Sequence, residues 1–199
     1  MKMTSPDVKE AKKEIATLLS AKGGKTSVQF SIHTAVANGD TKAVKKHLES
    51  GVSVNAKDLD RIIDWNIING YDFFRITSGL APWKSEYDWD DLPDIEHIRM
   101  WLHSAGVKAE THNIRITSHP GPFNVLTSPH EHVVENCVGD LTDHGSVFDM
   151  MELSRTPYNK INIHLGGAYG DKVSAMERFC KNFEKLPESV QTRLTVEND

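Results

Sequence analysis

Thiols are scarce in this chain, and long apolar runs and excess positive charge are missing from it. Its 199 residues include two cysteines, Cys137 and Cys180, without the paired spacing of a structural zinc site or a disulfide framework. A cystine-stapled secreted domain is thereby excluded, and a reducing, cytoplasmic setting is expected. Nowhere do eighteen apolar residues run together, so no membrane span and no membrane partner are expected. The opening Met1-Lys2-Met3-Thr4-Ser5-Pro6 lacks the apolar core of a secretory leader. A formal charge of −5 argues against a surface that is basic throughout. It leaves room for a local basic groove, because carboxylates gathered at a metal site weigh on the total. No Gly-x-Gly-x-x-Gly turn follows any strand-like run, which disfavours an open dinucleotide-binding sheet.

What is present is enough apolar material, 38%, to bury a core. Residues 1–27 are polar and lysine-rich and read as a leader, with a helix over Val8–Ser20 stopped by Gly23-Gly24. Residues 28–57 resemble one ankyrin repeat. The match runs through Ile32-His33-Thr34-Ala35, Asn38-Gly39-Asp40, His47-Leu48, Gly51 and Val54-Asn55-Ala56, and it departs at the usual Thr-Pro-Leu-His start. One such unit cannot bury its own apolar faces. It is a repeat relic offering a protein-binding surface, or else two amphipathic helices with Gly39 and Gly51 as caps.

From residue 58 a β/α rhythm takes over. Leu59, Ile62, Ile63, Trp65 and Ile67 give helical spacing with a stop at Asn69-Gly70, and Trp65 is assigned to the core. Phe73–Ile76 reads as a strand. Pro93–Val107 reads as a helix with Ile95, Ile98, Met100 and Leu102 apolar and a stop at Gly106. Strands follow at Ile114–Ser118, Ile161–His164 and Leu194–Val196, with helical material at Glu131–Met151 and Lys172–Phe183. Four strands separated by three helices predict parallel pairing through crossovers. The fold class is therefore α/β, of the (β/α)8 TIM-barrel type. A closed barrel takes about 250 residues, so residues 58–199 correspond to about its first half, preceded by a helical N-terminal segment.

The chemistry sits at the strand ends. Three β-rich runs each lead into a metal-capable side chain: His119 before Pro120-Gly121, His164 before Gly166-Gly167, and Glu197. In parallel α/β folds these ends form the reactive face, so the three groups converge. Imidazole and carboxylate suit zinc, manganese or iron, and the lack of thiolate disfavours a structural zinc site. Gly166-Gly167-Ala168-Tyr169-Gly170-Asp171-Lys172 opens a helix, where exposed amides and Lys172 favour a phosphate. The bland alternative is an ordinary βα loop. Arg75, within an apolar strand, is expected to point inward toward a carboxylate, as a structural partner or a substrate contact. His130 and His132 read as a polar helix start, and His144 receives no role. Trp83, Tyr87, Trp89 and Trp101 read as packing of a long loop, with base stacking as the rival.

Taken together, several motifs resemble the UV damage endonuclease family over residues 56–199. They are Asp58-Leu59 through Trp65-Asn66, Phe74-Arg75-Ile76-Thr77-Ser78, Pro82-Trp83, Asp91-Leu92-Pro93-Asp94, Ser118-His119-Pro120-Gly121, Asn162-Ile163-His164 with Gly166–Lys172, and Arg193–Asp199. The resemblance implies a TIM barrel with bound divalent metal ions, manganese above all, with zinc or magnesium as alternatives. It implies incision of UV-damaged double-stranded DNA 5′ to the photoproduct, as the first step of excision repair. On it His119, His164 and Glu197 are metal ligands, Glu197 bridges two ions, and Glu197 and Lys172 are catalytic. DNA contacts fall to Phe123, Gly166, Gly167, Tyr169, Lys172 and Arg75. Pro122-Phe123 stands where the family has Gln followed by an aromatic residue, so the wedge is kept and the amide is lost. The family's first strand is not recognisable before residue 56, and its second half-barrel is not matched. The chain alone is therefore expected to incise poorly. The rival readings are an abasic-site nuclease or sugar-isomerase-like barrel, and an ankyrin-type binding fragment.

Overall fold

Leu59, Ile63 and Asn66 recur at helical spacing and pack inward on α1 (Ala56–Asn69). Gly70, at φ 72°, closes the helix in a left-handed cap whose amide meets the Asn66 and Ile67 carbonyls. The computed structural model describes residues 55–82 and 84–197, all within one compact unit, Ser53–Asp199. The polar leader, the helix at Val8–Ser20, nearly all of the ankyrin-like stretch and Trp83 lie outside the described residues.

Four short strands follow: β1 (Phe73–Ile76), β2 (Arg115–Ser118), β3 (Ile161–His164) and β4 (Leu194–Glu197). They form one parallel sheet in the order β1-β2-β3-β4. Between them run α2 (Ile95–Thr111), α3 (Glu131–Met150), α4 (Lys172–Phe183) and the one-turn α5 (Glu188–Gln191). Sequential parallel strands joined by helices are the building plan of a TIM-type α/β fold. Strand alternation sends Ile116, Ile161 and Ile163, each at most 1% exposed, into the helix layer. On the opposite face Phe73, Arg75, Arg115, Thr117, Lys160, Asn162 and Thr195 line a polar cavity with His119 and Glu197.

Two expectations change. Trp65 is 55% exposed and stacks on Tyr71 with centroids 5.3 Å apart. It lies away from the stripe that Leu59, Ile63 and Asn66 bury, so the core takes the amide and leaves the indole out. Met100 is likewise exposed, while Ile98 and Leu102 are buried. Gly106 does not stop α2, which continues to Thr111. Its lack of a side chain serves packing instead, because a Cβ there would come 1.8 Å from the Met151 carbonyl oxygen.

The segment between β1 and α2 winds through short 3-10 turns at Ser78–Leu80, Lys84–Glu86 and Trp89–Asp91. Lys84 straps it to α3: its Nζ lies 3.1 Å from Asp143 and over the rings of Tyr87 and Trp89. Burial and the nearby Asp143 and Asp94 carboxylates push the Tyr87 hydroxyl up to about 12. Tyr87 is therefore a packed neutral phenol.

Candidate metal centre

His119 follows directly on β2, while His164 and Glu197 end β3 and β4. The register pairs His164 with Glu197 and, one step back on the same face, Asn162 with Thr195. Paired residues of neighbouring strands project to the same side, so the two pairs stack along one face. His119 Nε2 lies 2.9 Å from Glu197 Oε1, and His164 Nδ1 lies 3.2 Å from the same oxygen. The two imidazole rings meet edge to face with centroids 5.0 Å apart.

One ligand atom from each of the three residues lies within 4.8 Å of the others. Ligand bonds near 2 Å allow a single cation to be shared across such a set. Two imidazole nitrogens and a carboxylate oxygen are donors of the right kind for a divalent ion, so the residues fit the group. His119 is also oriented for it. Its Nδ1 lies 3.2 Å from the Pro120 carbonyl oxygen, a contact that orients the ring and turns Nε2 toward the centre. His119 hydrogen bonding, then the Asn162 amide, hold the Glu197 carboxyl below the usual glutamate range, with the charges of His119 and His164 adding to this. Glu197 thus stands ready as an anion.

Asn162 and Thr195 were not among the residues expected from the sequence. Asn162 Nδ2 donates to Glu197 Oε2 at 2.7 Å, and the Thr195 hydroxyl donates to Asn162 Oδ1 at 2.7 Å. Strand periodicity carried the signal, since each stands two residues before a metal-capable side chain and so shares its face.

Around the triad the other expected residues fall in different places. Phe123 is 86% exposed at the tip of a turn closed by Asn124, whose backbone N–H and Nδ2 both donate to Gly121 O at 3.1 Å. Asn124 Nδ2 also donates to Asp140 Oδ2 of α3 at 2.7 Å, which anchors the tip. Gly166, at φ 87°, sits where a Cβ would lie 2.6 Å from Val125 Cγ1, so the glycine-rich loop rests against the 125–127 segment. The Gly166, Gly167 and Tyr169 amides donate to no acceptor among the described residues. The start of α4 is different, because the Asp171 side chain accepts from the Val173 and Ser174 amides and the Ser174 hydroxyl. These contacts, the Ser174 hydroxyl first, hold the Asp171 carboxyl below its ordinary range. Lys172 is exposed and lines a separate shallow groove with Val173, Met176, Glu177 and Cys180. The structure does not bring it to the triad. Arg75 is exposed and lines the same cavity as Glu197, but no ion pair to it occurs among the described residues. The expected inward carboxylate partner is absent from that set. His130 and His132 open α3 with rings 5.9 Å apart.

The UV-endonuclease UvdE family matches residues 14–199. That span runs through the ankyrin-like stretch, and nothing supports the ankyrin reading or a protein partner through it. A UV DNA damage endonuclease from Bacillus cereus (strain Q1) is 35% identical over 149 residues, covering 73% of this chain and 45% of that protein. One from Clostridium perfringens (strain 13 / Type A) is 35% identical over 145 residues, covering 73% of this chain and 34% of that protein. The chain thus spans about half the length of the curated relatives it matches, or less. Among solved structures, "Crystal Structure of SacUVDE" is similar at a TM-score of 0.68 and 31% identity, over 77% of this chain and 52% of that one. The chain belongs to the UV-endonuclease UvdE family.

Proposed function

We propose that this polypeptide carries part of the metal centre of an endonuclease that incises UV-damaged double-stranded DNA 5′ to the lesion, in a reducing, cytoplasmic setting. The observation that carries the reading is the convergence of His119, His164 and Glu197 at adjacent strand ends, with ligand atoms within 4.8 Å, in a member of this family. Manganese is the proposed ion on the strength of the family resemblance; the donor set itself suits zinc or iron as well. A divalent cation held there supplies Lewis-acid polarisation of a phosphate oxygen and a nucleophile available at neutral pH.

The chain's own residues orient the substrate around that centre. Glu197, anionic and aimed at both imidazoles, is the residue on which incision depends most directly. Phe123, exposed at the tip of its turn, stacks on a base or wedges beside it, where damage has already weakened pairing. The Gly166, Gly167 and Tyr169 amides hold a backbone phosphate. Lys172 and Arg75 supply positive charge to the strand on either side, and the position of Lys172 suits an electrostatic contact rather than a chemical step.

The test uses the whole chain with added Mn2+ on UV-irradiated, abasic and undamaged duplexes, beside Glu197→Gln. The expected result is weak nicking 5′ to photoproducts that needs added metal and falls at least 100-fold in the variant, on the order of an electrostatic-stabiliser loss. Cleavage confined to abasic DNA would replace this reading with an abasic-site nuclease. Metal-independent nicking would remove the centre from the chemistry.

A further inference from the structure

Glu197 is held from behind. Its Oε1 faces both imidazoles, while its Oε2 accepts from Asn162 Nδ2 at 2.7 Å. An ionised carboxylate only accepts hydrogen bonds, so the amide must present its nitrogen to it. That places Asn162 Oδ1 on the other side, where the Thr195 hydroxyl donates to it at 2.7 Å. The hydroxyl therefore selects one of the two amide orientations, and the amide in turn selects one carboxylate rotamer. All three side chains sit on paired positions of β3 and β4, Asn162 opposite Thr195 and His164 opposite Glu197. The sheet register thus builds the relay without help from any loop.

We propose that Asn162, locked by Thr195, is the positioning residue of this metal centre. It fixes Glu197 so that Oε1 is delivered to the shared ligand position before any ion arrives. Without the amide, the carboxylate must give up side-chain freedom on each binding event, and one oxygen loses its partner in a half-buried setting. The inference rests on the metal reading above and assigns residues that the reading itself does not use.

The experiment follows Mn2+ binding to the full 199-residue chain by the electron paramagnetic resonance signal of free Mn2+, with no nuclease assay involved. Wild type is compared with Asn162→Ala, Thr195→Val, Thr195→Ser, Glu197→Ala and the double variant Asn162→Ala/Glu197→Ala, and each melting temperature is recorded. Asn162→Ala is expected to weaken Mn2+ binding by about 10- to 100-fold, the usual consequence of losing a partner of a metal ligand. Thr195→Val should weaken it less and in the same direction, while Thr195→Ser, which keeps the hydroxyl, should restore it. In the Glu197→Ala background, removing Asn162 should change affinity by no more than about twofold, because its effect runs through the carboxylate.

Wild-type affinity in Asn162→Ala, or an undiminished loss in the Glu197→Ala background, would overturn the positioning role while leaving the metal centre intact. If Asn162→Ala proves too unstable to titrate, equal affinities for Thr195→Val and Thr195→Ser would overturn the role. Failure of the wild-type chain to bind Mn2+ would overturn the metal reading itself, and the relay with it.

Discussion

Among single residues, Arg193 concentrates more interactions than any part of the sequence suggests. It stands just before β4, has no exposed surface, and donates to the carbonyls of Leu153, Ser154 and Ser189 and to Asp149. Its guanidinium also faces the Phe148 ring at 5.6 Å. An arginine at 0% exposure is tolerated because every side of its planar fork finds an acceptor. Burial would raise the Asp149 carboxyl, but hydrogen bonds from Arg193 and Arg155 outweigh it and hold the group below its ordinary value of 3.8. A carboxyl depressed in the folded state stabilises fully above its unfolded value, and that stabilisation is lost as pH falls through the folded one. Arg193→Ala is therefore expected to cost about 3–5 kcal/mol at neutral pH, the penalty for breaking a buried pair. The cost should begin to shrink below pH 3.8 and fade as pH falls through the lower folded value, where Asp149 becomes protonated and the ion-pair part disappears. Urea unfolding of both proteins at several pH values checks this, and a pH-independent difference would confine the role of Arg193 to the carbonyls.

At the scale of elements, strand and helix existence was legible and the roles of particular glycines and aromatics were not. The β-rich runs ending in His119, His164 and Glu197 mark strand ends because strand periodicity and an abrupt turn are both local signals. Locally, Gly106 reads as a helix stop, since glycine costs about 1 kcal/mol inside a helix and punctuation is its commoner meaning. The true reason is long-range: α2 passes so close to the end of α3 that a Cβ at 106 would sit 1.8 Å from Met151 O. Trp65 reads as core for a related cause, as an apolar residue beside the buried stripe carries no local mark of the face it takes. Asn162 and Thr195 are legible from periodicity, because each stands two residues before a ligand on the same strand face. The glycine account gives a direct comparison. Gly106→Ala should lose about 3 kcal/mol, the upper end for overpacking because backbone is the obstacle, and drop the Tm by on the order of 10 °C. Gly139→Ala, where an added Cβ meets nothing within 4 Å on exposed helix surface, should hold its Tm or gain slightly. Equal shifts in the two variants would show that helix propensity, not close approach, governs position 106.

At the scale of the whole molecule, the sheet has two faces of opposite character and two edges. The helix-facing side is a continuous apolar core, whereas the other side gathers Arg75, Arg115, Lys160, Asn162 and Glu197 into one polar cavity. This division places the metal-capable groups on a face that cannot become core without leaving charges unpaired. The edges follow from the strand order, with β1 and β4 at the two ends of the sheet among the described residues. Phe73 of β1 and Val196 of β4 are each 47% exposed. An end strand of the described sheet carrying exposed apolar side chains is a template for pairing with another strand. The chain with this sequence is therefore expected to self-associate as its concentration rises, through β4 in particular. Val196 alternates with Thr195 and Glu197 along that strand, so Val196→Lys places a charge at the edge and leaves the face that carries the ligands. Sedimentation velocity across a concentration series should show wild type shifting to larger species and Val196→Lys staying smaller, since an edge lysine makes a second strand bury an unpaired charge. Identical concentration dependence in the two proteins would move the associating surface away from β4, to the exposed aromatic pair Trp65 and Tyr71 beside α1. Repeating the comparison with Trp65→Ser would then decide between edge and helix face.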